Sequence, residues 1–67
     1  MNNGWWRARH KVRGREIEIT IFVTQGRVCA EKIVDTQTGN RIYIGSVNVG
    51  EPPDSGFDWN PLRPPMH

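Results

Sequence analysis

The sequence predicts an α+β fold: a three-stranded antiparallel sheet in the spatial order 2-1-3, with one helix on one face and the chain order strand, strand, helix, strand. Three observations predict it. Two neighbouring segments alternate polar and apolar residues, the next has apolar residues at helical spacing, and the last alternates again. The chain has 67 residues, enough for a single core. All five prolines follow Gly50, which predicts a domain over residues 1–49 and a Pro-rich tail over residues 50–67.

The first two segments predict a β-hairpin. Residues 5–12 and 15–24 alternate, and Arg13-Gly14 between them suits a two-residue turn. Pairing Val12 with Arg15 fixes the register of all other residues. One face then carries the pairs Trp5–Phe22, Arg7–Thr20, Arg9–Glu18 and Lys11–Glu16, and the other carries Trp6–Ile21, Ala8–Ile19 and His10–Ile17.

Residues 25–38 fit two interpretations, of which the first is a helix capped by Thr24 and ended by Gly39. At helical spacing, Cys29 and Ile33 share an apolar stripe, and the charged residues lie opposite. This interpretation predicts that the helix covers the isoleucine face of the hairpin. It also predicts that the Cys29 thiol is buried and unreactive.

The second interpretation of residues 25–38 is a strand. Gln25-Gly26 would then be a turn and residues 35–39 a hairpin loop, giving an all-β, four-stranded antiparallel meander. The β-branched residues favour it, but strict alternation would turn Lys32 towards the core and Ile33 towards solvent. Because the helical period leaves fewer residues misplaced, the helix is the prediction and the meander is the alternative. Residues 41–49 form the last strand in either case.

Several functional classes are not expected. Cys29 is the only cysteine, and with His10 and His67 it offers no metal-ligand spacing. Neither a catalytic pair nor a phosphate-binding glycine loop is evident, so no enzyme activity and no cofactor are expected. No apolar run approaches the roughly 20 residues that span a bilayer, and the first residues do not resemble a signal peptide. A cytoplasmic protein without a membrane partner is therefore expected.

One resemblance follows from the order of the segments. The hairpin, then Ala30-Glu31-Lys32-Ile33-Val34, Gln37-Thr38-Gly39, Arg41-Ile42 and Ser46-Val47, resembles small strand-strand-helix-strand proteins encoded by phages and other mobile elements. The resemblance covers residues 5–49 and concerns the pattern, without a diagnostic motif. It implies a small inhibitor or adaptor that acts on a host factor, and it assigns no functional residue.

The tail predicts a protein-binding element. Its large apolar residues stand in a segment too rich in proline and glycine to form a core, so they should cover the open, basic face of the sheet or dock on a partner. A fold-back would bring Asp54 and Asp58 towards the basic first strand. The predicted partner-binding residues are Phe57, Trp59, Leu62, Trp5 and Phe22.

The alternative function is nucleic-acid binding. Residues 1–15 hold five basic residues and no acid, and arginines interleaved with aromatic residues are typical of single-strand platforms. The residues predicted for this role are Trp5, Arg7, Arg9, Lys11, Arg13 and Tyr43. The sequence therefore predicts a non-enzymatic protein-protein interaction module, with nucleic acid as the alternative partner and self-association through sheet edges as a further option.

Overall fold

The computed structural model describes residues 1–45 and 49–62, with side chains for residues 1–42 and 49–62. These residues form one antiparallel sheet of five strands. In chain order the strands are β1 (Gly4–Val12), β2 (Arg15–Thr24), β3 (Arg27–Asp35), β4 (Arg41–Gly45) and β5 (Asn60–Pro61). Their spatial order is β4-β3-β2-β1-β5, so the first four strands form a meander and β5 extends the sheet beyond β1.

The predicted α+β fold is wrong, because the described residues contain five strands and no helix. The alternative, a four-stranded meander, accounts for β1 to β4 but not for β5. The predicted order 2-1-3 is also wrong, since β4 pairs with β3 and the free edge of β1 receives Asn60 and Pro61. The last predicted strand begins at Arg41 but ends at Gly45, and residues 46–48 lie outside the described residues.

The β1–β2 hairpin has the predicted register at every position, from Val12 beside Arg15 to Trp5 beside Phe22. Its turn is Arg13-Gly14, whose φ angles of 52° and 79° are both left-handed. Two left-handed residues define the turn that matches the twist of paired strands. The hairpin prediction is therefore confirmed.

A second turn of the same kind stands where the helix was predicted to begin. Gln25-Gly26 has φ angles of 55° and 75° and reverses the chain, so that Thr24 pairs with Arg27. A helix capped by Thr24 would need right-handed dihedral angles at these two residues. The β-branched residues that follow then suit a strand paired with β2.

A β-bulge in β3 explains why this strand does not alternate in the sequence. Val28 pairs with Val23 and Ala30 pairs with Phe22, which leaves Cys29 without a partner on β2. An unpaired extra residue of this kind moves the following side chains to the other face. The broken alternation that imitated a helical period is therefore the phase change of a bulge.

The bulge decides which residues of β3 face the core. Val28 precedes it and is buried, while Glu31, Ile33 and Asp35 follow it and pair with the isoleucine side of β2. In strict alternation Val28 and Ile33 would lie on opposite faces. Cys29 itself is exposed, so the predicted burial of its thiol is wrong.

Asp35 organises the loop between β3 and β4. Its side chain is buried; one carboxylate oxygen accepts a hydrogen bond from the Gln37 backbone (2.9 Å) and the other lies 3.1 Å from the Arg15 guanidinium. Its backbone accepts a bond from Gly39 and donates one to Asn40. This network closes the hairpin that the strand interpretation placed at residues 35–39.

The core lies on one side of the sheet, which we call the apolar face. Its buried side chains are Ala8, Ile19, Ile21, Val23 and Val28. Phe57 and Trp59 of the tail pack against this cluster. The tail therefore covers the face that was assigned to the helix, and the predicted fold-back over the opposite, basic face is wrong. The division between residues 49 and 50 stays a prediction.

Candidate functional site

Residues 51–59, which we call the strap, cross the apolar face from β3 to β1. At one end, the backbone nitrogen of Gly50 donates a hydrogen bond to the Val28 carbonyl (2.6 Å). At the other end, Leu62 donates to the Trp5 carbonyl (2.9 Å), beside the pairing of β5 with β1. Both ends of the strap are thus fixed to the sheet by backbone hydrogen bonds.

Asp54 fixes the conformation of the strap through two hydrogen bonds within it. Its carboxylate accepts a hydrogen bond from the Gly56 backbone (2.8 Å), and its carbonyl accepts one from the indole nitrogen of Trp59 (2.7 Å). Phe57 then lies edge-on to Trp59, with ring centroids 5.5 Å apart, and edge-on to His10, at 5.0 Å. The two aromatic rings of the strap are therefore held in defined positions above the sheet.

An open groove of about 850 Å³ lies beside the packed rings of the strap and is lined by both the strap and the apolar face. This volume lies within the range of ligand-binding clefts, about 300–1,000 Å³. Its walls are mainly apolar: the sheet contributes Val12, Ile17, Ile19, Ile21, Val28 and Ile33, and the strap contributes Pro52, Pro53, Phe57 and Trp59. The groove is thus a site with apolar walls on two sides.

The charged groups of the groove are mostly acidic. Glu31 projects from the sheet, Glu51 and Asp54 belong to the strap, and His10 lies at the β1 end. Three carboxylates and one imidazole are therefore the titratable groups among the described residues that line it. Low-dielectric walls concentrate the field of such charges in a cleft.

Glu31 is the most unusual of these groups. It is half-buried, pairs with Ile21 of β2, and lies two residues before Ile33 on the apolar face. Burial raises the pKa of the Glu31 carboxyl above its ordinary value. Sequence reasoning missed this residue because the helical interpretation placed it on a solvated face.

The opposite side of the sheet, which we call the basic face, carries an aromatic pair formed by exposed Trp5 and half-buried Phe22. Trp5 contacts Phe22, with ring centroids 5.0 Å apart and an interplanar angle of 60°. Trp5 is 48% exposed, although it is one of the largest apolar side chains of the domain. An exposed tryptophan beside arginines is a common anchor for proteins and for nucleic-acid bases.

The arginines of the basic face are partly neutralised by glutamates. Arg7 lies 3.9 Å from Glu18, and Arg9 lies 3.6 Å from both Glu16 and Glu18. Exposed pairs of this kind contribute about 0–1 kcal/mol each and weaken with salt. These arginines therefore remain available to a competing anion.

The predicted protein-binding residues fall into two groups on opposite faces. Trp5 and Phe22 are in contact on the basic face, whereas Phe57 and Trp59 are in contact at the groove. Leu62 is half-buried, and its backbone nitrogen donates a hydrogen bond to the Trp5 carbonyl. The structure does not bring all five together in one surface.

The predicted nucleic-acid residues are also dispersed. Lys11 and Arg13 are exposed at the turn end of the hairpin, away from the aromatic pair at the start of β1. Tyr43 pairs with Ile33 through the backbone, but its side chain lies outside the described part. Trp5, Arg7, Arg9 and Lys11 succeed one another along one face of β1 in the predicted manner.

The predicted approach of the acidic tail residues to the basic first strand is realised in one case. Asp58 borders a small cleft of about 240 Å³ together with Arg7 and Arg9. Asp54 instead lies in the groove, on the other side of the sheet. Asp58 lies at the β1 end of the strap, so it reaches the edge of the basic face.

Comparison with protein-family models, with curated proteins and with solved structures finds no match. Within residues 1–45 and 49–62, no group of three or more His, Cys, Asp or Glu residues is arranged to hold a metal ion. In the same part of the chain there is no helix with the length and apolar character needed to cross a membrane.

Proposed function

We propose that this chain is a non-enzymatic protein-binding domain that holds an extended segment of a partner protein in the groove between the strap and the apolar face. The groove itself carries the proposal. It has apolar walls on two sides, acidic groups along it, and a volume that would accept several side chains. An extended segment of five residues spans roughly 17 Å, which suits a groove that lies across a small sheet.

The strap supports this function because it is already ordered. Pro52 and Pro53 restrict its backbone, and the hydrogen bonds of Asp54 fix the Trp59 ring. A wall that is rigid before binding loses little conformational entropy when a partner docks. The groove can therefore bind through modest apolar contacts.

The positions of Cys29 and His10, the residue types that could form a nucleophile and its base, support a non-enzymatic role. Cys29 lies on β3 and His10 on β1, with β2 between them. His10 is level with Asp35 through Ile17, and Cys29 lies six residues away along β3, so the two residues are separated by more than roughly 20 Å. A thiol and its base need hydrogen-bond contact.

The proposal can be tested with two variants of adjacent residues. Ile33 lines the groove, and Val34 is half-buried on the other face of the same strand. We expect Ile33→Gln to lose a partner captured by the wild-type domain from a lysate of the source cell, and Val34→Gln to retain it. Circular dichroism controls for folding of both variants. Retention by Ile33→Gln with loss by Val34→Gln would contradict the proposal.

Nucleic-acid binding by the basic face is the second candidate. The observation that favours it is the charge of that face, where cations outnumber carboxylates by six to two in the described strands. The cations are Arg7, Arg9, Lys11, Arg27, Lys32 and Arg41, and the carboxylates are Glu16 and Glu18. Exposed Trp5 adds a surface on which a base can stack.

This second candidate predicts binding that falls steeply with salt and shows little sequence preference. Fluorescence anisotropy with labelled single-stranded oligonucleotides would measure it. Replacing Trp5 by alanine should remove stacking of about 1–3 kcal/mol per base. Absence of binding to single- and double-stranded oligonucleotides at low salt would eliminate this candidate.

Steric occlusion of a host factor in the cytoplasm stays part of the proposal. The resemblance to strand-strand-helix-strand proteins included a helix over residues 25–38, which is strand β3 here, so it adds no support. Self-association through the sheet edges also stays a prediction. The free edges of the described sheet are the outer edge of β4 and the part of β1 that follows its pairing with β5.

A further inference from the structure

Glu31 occupies a position at which an apolar residue would favour stability. Its neighbours on the apolar face are Ile21 and Ile33, and no other described residue forms an ion pair or side-chain hydrogen bond with its carboxylate. A half-buried carboxylate without such a partner destabilises a fold. A residue that lowers the stability of the fold in this way is expected at a site where the protein binds a ligand or partner.

The charges around Glu31 define what it would bind. Glu51 and Asp54 line the same groove from the strap, and His10 is the remaining titratable group that lines it. The chain as a whole carries a formal charge of +2, and Arg7 and Arg9 lie on the basic face. The groove is therefore an acidic site on a basic protein, complementary to a cation.

The walls of the groove define the shape of that cation. Isoleucines from the sheet and the rings of Phe57 and Trp59 offer apolar contact, while the carboxylates lie among them. A long aliphatic stem with a charged end fits such a surface, because the stem buries apolar area while its head reaches a charge. Aromatic rings add a further attraction for the cation.

We infer that the groove recognises a lysine or arginine side chain of the partner segment, flanked by apolar residues, with Glu31 as the carboxylate that receives its cationic head. The inference rests on the proposed function, because it names the chemistry of the segment held there. The lysine or arginine stem packs on Ile33 and Trp59. Its apolar neighbours fill the remaining length of the groove.

The test is a selection from a random dodecapeptide library displayed on phage, made in parallel on the immobilised wild-type domain and on Glu31→Gln. This variant keeps the shape of the side chain and removes a half-buried charge, so it should fold at least as well as the wild type. For the wild type we expect a basic residue at one fixed position between apolar residues. For Glu31→Gln we expect the same apolar residues without the basic preference.

A calorimetric double-mutant cycle then measures the contact directly. The selected peptide and its variant with the basic residue replaced by glutamine are each titrated into the wild type and into Glu31→Gln. We expect the glutamine peptide to bind the wild type at least tenfold more weakly, and the two peptides to bind Glu31→Gln with similar affinity. An equal loss of affinity for the glutamine peptide in the wild type and in Glu31→Gln would overturn the role of Glu31.

The outcomes separate this inference from the proposed function. Selected peptides that bind the groove but carry no basic residue would overturn the inference and leave the proposed function standing. Peptides whose binding is lost in Val34→Gln and kept in Ile33→Gln would overturn both, because they would bind the basic face. A selection that enriches no peptide would also overturn both.

Discussion

Phe57 lies edge-on to His10, with ring centroids 5.0 Å apart and 82° between the ring planes. This contact joins the middle of the strap to the first strand, beyond the backbone bonds that fix its two ends. Edge-to-face pairs contribute about 0.5–1.5 kcal/mol beyond the apolar area they bury. The contact links the stability of the domain to the shape of its groove, since the same rings form part of the groove wall.

Trp59→Ala should destabilise the domain more than Trp5→Ala, although the two substitutions are chemically identical. Trp59 packs on the core cluster, so its loss should lower the free energy of unfolding by about 2 kcal/mol and Tm by roughly 10 °C. Trp5 is 48% exposed and contacts mainly Phe22, so its loss should lower the free energy of unfolding by about 1 kcal/mol or less. Equal thermal shifts in the two variants would show that the strap does not cover the core.

Removing residues 51–67 should expose the apolar face. Ile19, Ile21 and Val23 lose the cover of Phe57 and Trp59, which contribute about 1.5–3 kcal/mol each when fully buried. We expect the shortened chain to bind the dye ANS and to unfold without a sharp transition. An unchanged Tm without dye binding would contradict the packing of the strap.

The pH dependence of stability should report on Glu31. Burial raises its pKa, so the folded chain keeps a proton that the unfolded chain has already lost. Its contribution to the free energy of unfolding is full below the ordinary pKa of 4.5 and is lost as the pH rises through the raised value. Glu31→Gln should remove this loss. Urea unfolding at about pH 4 and about pH 7 should therefore show that the variant gains stability relative to the wild type at the higher pH.

An unchanged difference between the two proteins at both pH values would mean that Glu31 ionises as easily in the folded chain as in the unfolded one. The proposed acidic centre of the groove would then be a solvated side chain. Its selectivity for a cation would have to come from Glu51 and Asp54, which belong to the strap.

The Cys29 thiol should react readily in the native protein. It is exposed at the bulge of β3, and its sulfur lies 3.8 Å from the carbonyl of Arg27 in the same strand. We expect a thiol reagent to label it under native conditions at a rate comparable to that in denaturant. Protection of the thiol in the native state would instead favour the buried position that the helical interpretation predicted.

The hairpin was predictable because charge, aromatic and apolar pairs all agreed on one register. A shift of one residue would have placed Arg9 beside Ile17, against the alternation of both strands. Arg13-Gly14 also fixed the turn. Local and cross-strand signals pointed to the same structure.

Strand β3 was not predictable by periodicity, because a bulge changes the phase within the strand. Val28, Cys29 and Ala30 span the change, and a helical period fits such a run as well as an interrupted strand does. The sequence nevertheless contained a signal for a second hairpin turn. Gln25-Gly26 is followed by Arg27, just as Arg13-Gly14 is followed by Arg15, and both pairs form the same turn.

The candidate site was predicted in part. The sequence identified Phe57 and Trp59 as residues that must be covered or must bind, and both form a wall of the groove. It placed them over the basic face because a helix was expected on the other side. Glu31 and Ile33 were missed as groove residues because residues 25–38 were expected to form a helix. In the strand, the bulge determines the face of the sheet on which they lie.

The central claim is that a partner binds the groove and not the basic face, and the indole N–H signals of the tryptophans test it most directly. Trp59 lies at the groove and Trp5 on the basic face, so each signal reports on one surface. We propose a nitrogen-15 NMR titration of the full chain with the partner captured from the lysate. The account predicts that the Trp59 indole signal shifts while that of Trp5 stays in place. A shift of the Trp5 signal with an unmoved Trp59 signal would contradict it.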